Sequence, residues 1–259
     1  MGIIDFHQHL SVKSDLDAHI KMLSRNNIEH AVVMPYDFLD LSEKEVYQCA
    51  QKLTKPKSYI NFLKKIDIIN ESFLNYVKNC GKITPAAWFS PECNNLDSFI
   101  DKVKIIKFIP VLDNYNSDYF NRIKNLVGKI INRGKIVMIH TGWGINPNYL
   151  NSLASNYPEG IFVNAHMKED NDSYNVGRFN ALKNNANLFC EISYFPHAKR
   201  IAQYVNAGLG KRLIFGSDYR NADDEQTING YAAMLNAANI TQSIKTSIFY
   251  DNAMNLLGL

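Results

Sequence analysis

Seven histidines stand in this 259-residue sequence, and two of them are separated by a single residue, in His7-Gln8-His9. Neutral imidazole nitrogens are good ligands for zinc-type ions, and residues two apart on a strand face the same side. Spacing alone is a weak signal, because a His-x-His pair is expected by chance roughly 0.2 times at this histidine content. Position strengthens it. Three more polar residues end apolar runs in the same way: His140 in Ile139-His140-Thr141-Gly142, His166 in Asn164-Ala165-His166, and Asp218 in Phe215-Gly216-Ser217-Asp218. Four imidazoles and a carboxylate would be a costly filling for a core. Together they suit a divalent metal, zinc first, with manganese, iron or nickel as alternatives.

The elements that must position these groups are eight short apolar runs, at 2–9, 30–36, 83–89, 103–110, 135–142, 160–166, 186–193 and 212–218. Most are continuous rather than alternating, as expected of parallel strands buried on both faces. Helical segments lie between them. The spacing of Phe120, Ile123, Leu126, Val127, Ile130 and Ile131 predicts a helix over 118–133, stopped by Gly134. Eight strand-helix units predict a single (β/α)8 TIM-type barrel over residues 1–259, with sites at the C-terminal strand ends where the histidines fall. A doubly wound sheet would want a glycine-rich turn after the first strand, and that strand ends in histidines instead. The long connection from 37 to 81, with helical stretches near 42–53 and 68–79, predicts an enlarged second βα segment.

The pattern Asp5-Phe6-His7-Gln8-His9, the later His140 and His166, the Gly-Ser-Asp ending at Asp218 and the C-terminal Leu256-Leu257-Gly258-Leu259 resemble the amidohydrolase superfamily. The likeness is to its compact barrel-only branch, the amidohydrolase-2 or aminocarboxymuconate-semialdehyde-decarboxylase-like family. The resemblance implies that His7, His9, His140 and Asp218 hold one metal ion, which brings the pKa of water towards ~7. It further implies that Asp218 moves the proton and that His166 polarises the substrate carbonyl. The implied activity is hydrolysis of an amide, ester or lactone of a small metabolite. The alternative is non-oxidative decarboxylation of an aromatic or unsaturated acid. Where the family often has Gly-Gly after its sixth-strand histidine, this chain has Met167-Lys168-Glu169.

Further residues carry two readings each. Lys107, on the fourth strand, either takes part in a second-metal arrangement or meets Asp218, the substrate or solvent. Asp5 either orients a ligand imidazole or satisfies backbone groups at the barrel floor. Arg220 either grips a substrate carboxylate or forms a surface ion pair. Trp143, His197 and Trp88 are candidates for the wall of the mouth. His19 and His30 receive no role. The net charge of +3 and scattered basic residues give no case for nucleic acid. No apolar run approaches the ~20 residues of a membrane span. Four cysteines without framework spacing and no secretory signal predict a reduced, cytoplasmic protein acting on a small molecule, with a homo-oligomer left open.

Overall fold

The computed structural model describes residues 2–36, 63–91, 96–110, 119–141, 146–167, 172–194, 197–220 and 225–259. Eight strands, β1 (Ile3–Leu10), β2 (Ile28–Pro35), β3 (Ile83–Phe89), β4 (Ile105–Phe108), β5 (Ile136–His140), β6 (Ile161–Ala165), β7 (Leu188–Glu191) and β8 (Leu213–Ile214), pair in sequence order. Each neighbouring pair is parallel. The cylinder closes through backbone bonds between the β1 and β8 segments. Phe6 N donates to Phe215 O (2.9 Å), Asp218 N to His7 O (2.8 Å) and His9 N to Tyr219 O (2.7 Å). The fold is therefore the expected (β/α)8 barrel, and its closing seam runs through the residues that carry the candidate chemistry.

Local sequence explains the elements. Ile105, Ile106, Lys107 and Phe108 of β4 are all buried, because one face of a barrel strand meets the interior and the other meets the helices. Helix α1 (Leu16–Arg25) starts at Asp15, whose carboxylate accepts the amides of Asp17 and Ala18. Helix α2 (Ile66–Val77) precedes β3 and matches the stretch expected near 68–79, whereas the stretch expected near 42–53 lies outside the described residues. A four-residue turn, α3 (Leu96–Phe99), precedes β4. Helix α4 (Tyr119–Asn132) buries Phe120, Ile123, Val127, Ile130 and Ile131, and Gly134 takes the left-handed conformation (φ 64°) that stops it.

Helix α5 (Pro147–Asn156) begins with proline behind an Asn146 cap, where proline loses no hydrogen bond. Helices α6 (Asp172–Asn184), α7 (Ala198–Asn206) and α8 (Glu225–Ala237) follow β6, β7 and β8. The C-terminal helix α9 (Asn252–Leu257) is tied under the barrel by Asn252, whose side chain donates to the carbonyls of Gly210 and Leu213. Among the described residues, no helix is long and apolar enough to cross a membrane.

One departure from regular pairing matters. Asp5 pairs with Ala31 but Gln8 with Val33, so β1 carries one extra residue against β2 at Phe6-His7. Such a bulge bends a strand and re-aims its side chains.

Candidate metal centre

The bulge brings the two histidines of β1 to one carboxylate. Asp218 Oδ1 lies 3.2 Å from His7 Nε2 and 3.0 Å from His9 Nε2. Donor atoms of His7, His166 and Asp218 all lie within 4.8 Å of one another, and the three residues are buried. His140 stands beside this group, with its Nδ1 3.0 Å from His166 Nε2. The structure thus brings the five expected residues together, with His166 inside the donor cluster and His140 bonded to His166.

The remaining polar atoms hold these rings. Glu191, at the end of β7, accepts from His7 Nδ1 (2.7 Å) and from the His166 amide (3.2 Å). Ser193 bridges it to His166, its hydroxyl lying 2.9 Å from Glu191 Oε2 and 2.7 Å from His166 Nδ1. Glu191 was absent from the sequence reading. Its signal was the one already used for the histidines, a polar residue ending an apolar strand run. Asp5 takes the backbone role. It accepts from Ser217 N (3.0 Å), Ser217 Oγ (2.6 Å), His7 N (3.1 Å) and Gln8 Nε2 (2.7 Å), so it ties β1 to the segment carrying Asp218.

Lys107 points inward, its Nζ against His7 Nε2 and 4.7 Å over the Trp88 ring. Trp88 is buried, stacks on His9 at 5.6 Å and donates from its indole to Pro35 O, so it backs the site instead of lining its mouth. At the rim, Arg220 donates to Asp218 Oδ2 (2.6 Å) and to Tyr194 Oη (2.6 Å), and Tyr194 is 40% exposed. His197 is exposed at the N-cap of α7, and Trp143 lies outside the described residues.

Electrostatics follow from burial. Desolvation, then the Lys107 charge, holds His7 well below its ordinary value, and desolvation takes His9 to about 4. His140 and His166 are likewise held well below theirs, by burial first. The imidazoles are therefore neutral at pH 7, the form that ligates metals. Burial works against the Asp218 charge, but the nitrogens of His7, His166 and His9 hold its carboxyl well below the usual range. Burial pushes Glu191 up to about 8 against the pull of the Ser193 amide, and brings Lys107 down to about 7. Buried neutral imidazole nitrogens around an ionised carboxylate, one ring braced by the buried Glu191 side chain, form a donor set that fits a zinc-type ion.

The family model described as amidohydrolase matches residues 103–259. No curated protein sequence matches the chain. Among solved structures, an uncharacterised TIM-barrel protein of Bordetella bronchiseptica is 14% identical over 100% of this chain and 99% of its own, with a TM-score of 0.70. A probable 2-pyrone-4,6-dicarboxylic acid hydrolase of Acinetobacter baumannii, solved with citric acid bound, is 15% identical over 100% of both chains, with a TM-score of 0.66. The 5-carboxyvanillate decarboxylase of Sphingomonas paucimobilis is 11% identical over 100% of this chain and 99% of its own, with a TM-score of 0.61. At these identities the likeness shows the fold alone.

Proposed function

The chain belongs to the amidohydrolase family, and from that premise we propose that it is a metal-dependent hydrolase cleaving an amide, ester or lactone of a small carboxylated metabolite. The observation that carries this reading is the meeting of His7, His166 and Asp218 donor atoms within 4.8 Å of one another. His7, His9 and Asp218 would hold one divalent ion, with the His140–His166 pair supplying the remaining nitrogen; zinc suits the set best, and manganese, iron and nickel are the alternatives. Such an ion supplies Lewis-acid activation of water and of the scissile carbonyl.

The chain's own residues do the rest. Asp218 accepts the proton of the attacking water and returns it to the leaving group. Its two oxygens face different partners, Oδ1 the imidazoles and Oδ2 the Arg220 guanidinium, which fixes the carboxylate plane. With His166 on the ion, the Nδ1–H of His140 that faces His166 Nε2 at 3.0 Å is freed to donate to the developing oxyanion. Arg220 and Tyr194 stand at the rim, where a cation and a phenol suit a substrate carboxylate. A similarly folded hydrolase is named for a cyclic ester carrying two carboxylates and was solved with citric acid, which supports the same substrate class.

The test is Asp218→Asn assayed on a panel of carboxylated lactones, esters and amides. The variant keeps most of its metal and loses turnover by about 10²–10⁴-fold. Full activity in this variant refutes the role. Release of CO2 from an aromatic or unsaturated acid, with no ester or amide cleaved, replaces hydrolysis by the decarboxylase reading that the third similar structure supports.

A further inference from the structure

The proposed reaction assigns no task to Glu191, although it is fully buried and bonded to two of the site histidines. We propose that Glu191 is the positioning residue of the centre: through direct and relayed hydrogen bonds it holds the His7 and His166 rings and sets which nitrogen of each carries the proton. The affinity part of this proposal rests on the metal-dependent reading above; the ring-proton part does not.

The chain of bonds has a direction because some of its members can only donate. The amides of Ser193 and His166 both point at the Glu191 carboxylate, one at each oxygen. The Ser193 hydroxyl adds a third donor. Ionised, a carboxylate so surrounded can only accept, and His7 Nδ1 at 2.7 Å then brings the proton. That leaves His7 Nε2 without a proton, facing Asp218 and the Lys107 amine. Because Ser193 spends its one proton on Glu191, its lone pair accepts from His166 Nδ1 at 2.7 Å. His166 Nε2 then carries no proton and accepts from His140 Nδ1 at 3.0 Å. The order thus passes from one carboxylate through three rings.

A second, independent feature shows that room is made for this carboxylate. A Cβ at Gly216 would stand 2.5 Å from Cγ, Cδ and Oε1 of Glu191. Gly216 does not adopt a positive φ, so space, and not backbone freedom, is what glycine provides there. The glycine of the Gly-Ser-Asp motif belongs to the same device as the strand-seven acid.

The experiment uses the full chain. Zn2+ affinity is measured by chelator competition, and ring protonation by long-range ¹H–¹⁵N correlation of the labelled histidines. Glu191→Gln and Gly216→Ala are expected to weaken Zn2+ binding 10–100-fold and to shift His7 away from its Nδ1–H form. Ser193→Ala is expected to change His166 and leave His7 as it is; deleting only a hydroxyl, it carries the test if Glu191→Gln does not fold. Wild-type Zn2+ affinity in Glu191→Gln with unchanged His7 signals overturns the proposal, as does an unchanged His166 in Ser193→Ala. If the wild-type chain takes up no Zn2+, the metal reading fails, and the spectra still decide this one. His7 protonated on Nδ1 supports it, and His7 protonated on Nε2 overturns it.

Discussion

Replacing Asp5 tests whether the barrel seam is held as the hydrogen bonds imply. Its Oδ1 accepts the amides of His7 and Ser217, and its Oδ2 accepts the Gln8 side chain and the Ser217 hydroxyl. Asp5→Ala leaves two buried backbone N–H groups without an acceptor, and neither can turn towards another. At about 1–3 kcal/mol for each unsatisfied donor, the loss is about 2–6 kcal/mol. Asp5→Asn behaves differently. The retained oxygen serves the two amides, and the new NH2 faces Gln8, whose own Oε1 is buried with no partner. Turning the Gln8 amide over pairs that oxygen with the new donor, and the Ser217 hydroxyl can rotate to accept. The turned Gln8 NH2 then stands where no acceptor faces it, so the expected cost is about 1–3 kcal/mol, below that of Asp5→Ala. Urea denaturation at pH 7 with a fixed zinc concentration measures both variants. Equal destabilisation by Asn and Ala, or a loss under about 1 kcal/mol for Ala, refutes the account of the seam.

Two further outcomes can be checked directly. His19, buried on α1 with its Nε2 unpartnered, has its pKa lowered by burial to about 4. Its native value lies below the unfolded one, so its neutral form favours folding fully above pH 6.5, and that stability is lost as pH falls towards 4. The shift from 6.5 to about 4 corresponds to roughly 3 kcal/mol. Wild type should therefore lose this much more than His19→Leu over that range, and parallel stability curves for the two would refute the assignment. Zn2+ at a hundredfold excess over its Kd should stabilise the fold by about 2.7 kcal/mol, raising Tm by roughly 5–10 °C, reversed by a chelator. An unmoved Tm would remove the metal centre.

Much of the barrel was legible because its strands are apolar on both faces. The run at 83–89 coincides with β3, and those at 135–142 and 160–166 enclose β5 and β6. The last run extends to Asp218 while β8 ends at Ile214. Beyond that point the segment bonds elsewhere, Phe215 N to Ile248 O and Asp218 N to His7 O. Such partners are set by tertiary closure, which period and propensity do not encode. Trp88 shows the same limit. An aromatic at a strand end suits a substrate wall, and only the packing of α2 against β3, where Asn70 binds the Trp88 backbone at both N and O, shows it to be a buried support.

What stayed hidden lies where local preference is violated. His166, Asp218 and Tyr194 have φ of 69°, 54° and 56°, in the left-handed region that ordinary side chains avoid at a cost of about 1–2 kcal/mol each. They follow β6, β8 and β7, so the strain gathers at one rim. Sequence preference would put glycine or asparagine there, and nothing in His166 or Tyr194 announces such a turn. The turn at His166 is held from outside. Thr141 Oγ1 and Asn164 Nδ2 donate to its carbonyl, and its amide goes to Glu191. At Asp218 the amide is taken by the His7 carbonyl, across the seam that Asp5 closes. The bends at His166 and Asp218 thus depend mainly on groups distant in sequence, Thr141 and Glu191 for the first and His7 for the second. Relieving the bend would turn the imidazole and the carboxylate away from one another, so the strain and the convergence of ligand atoms have one structural cause.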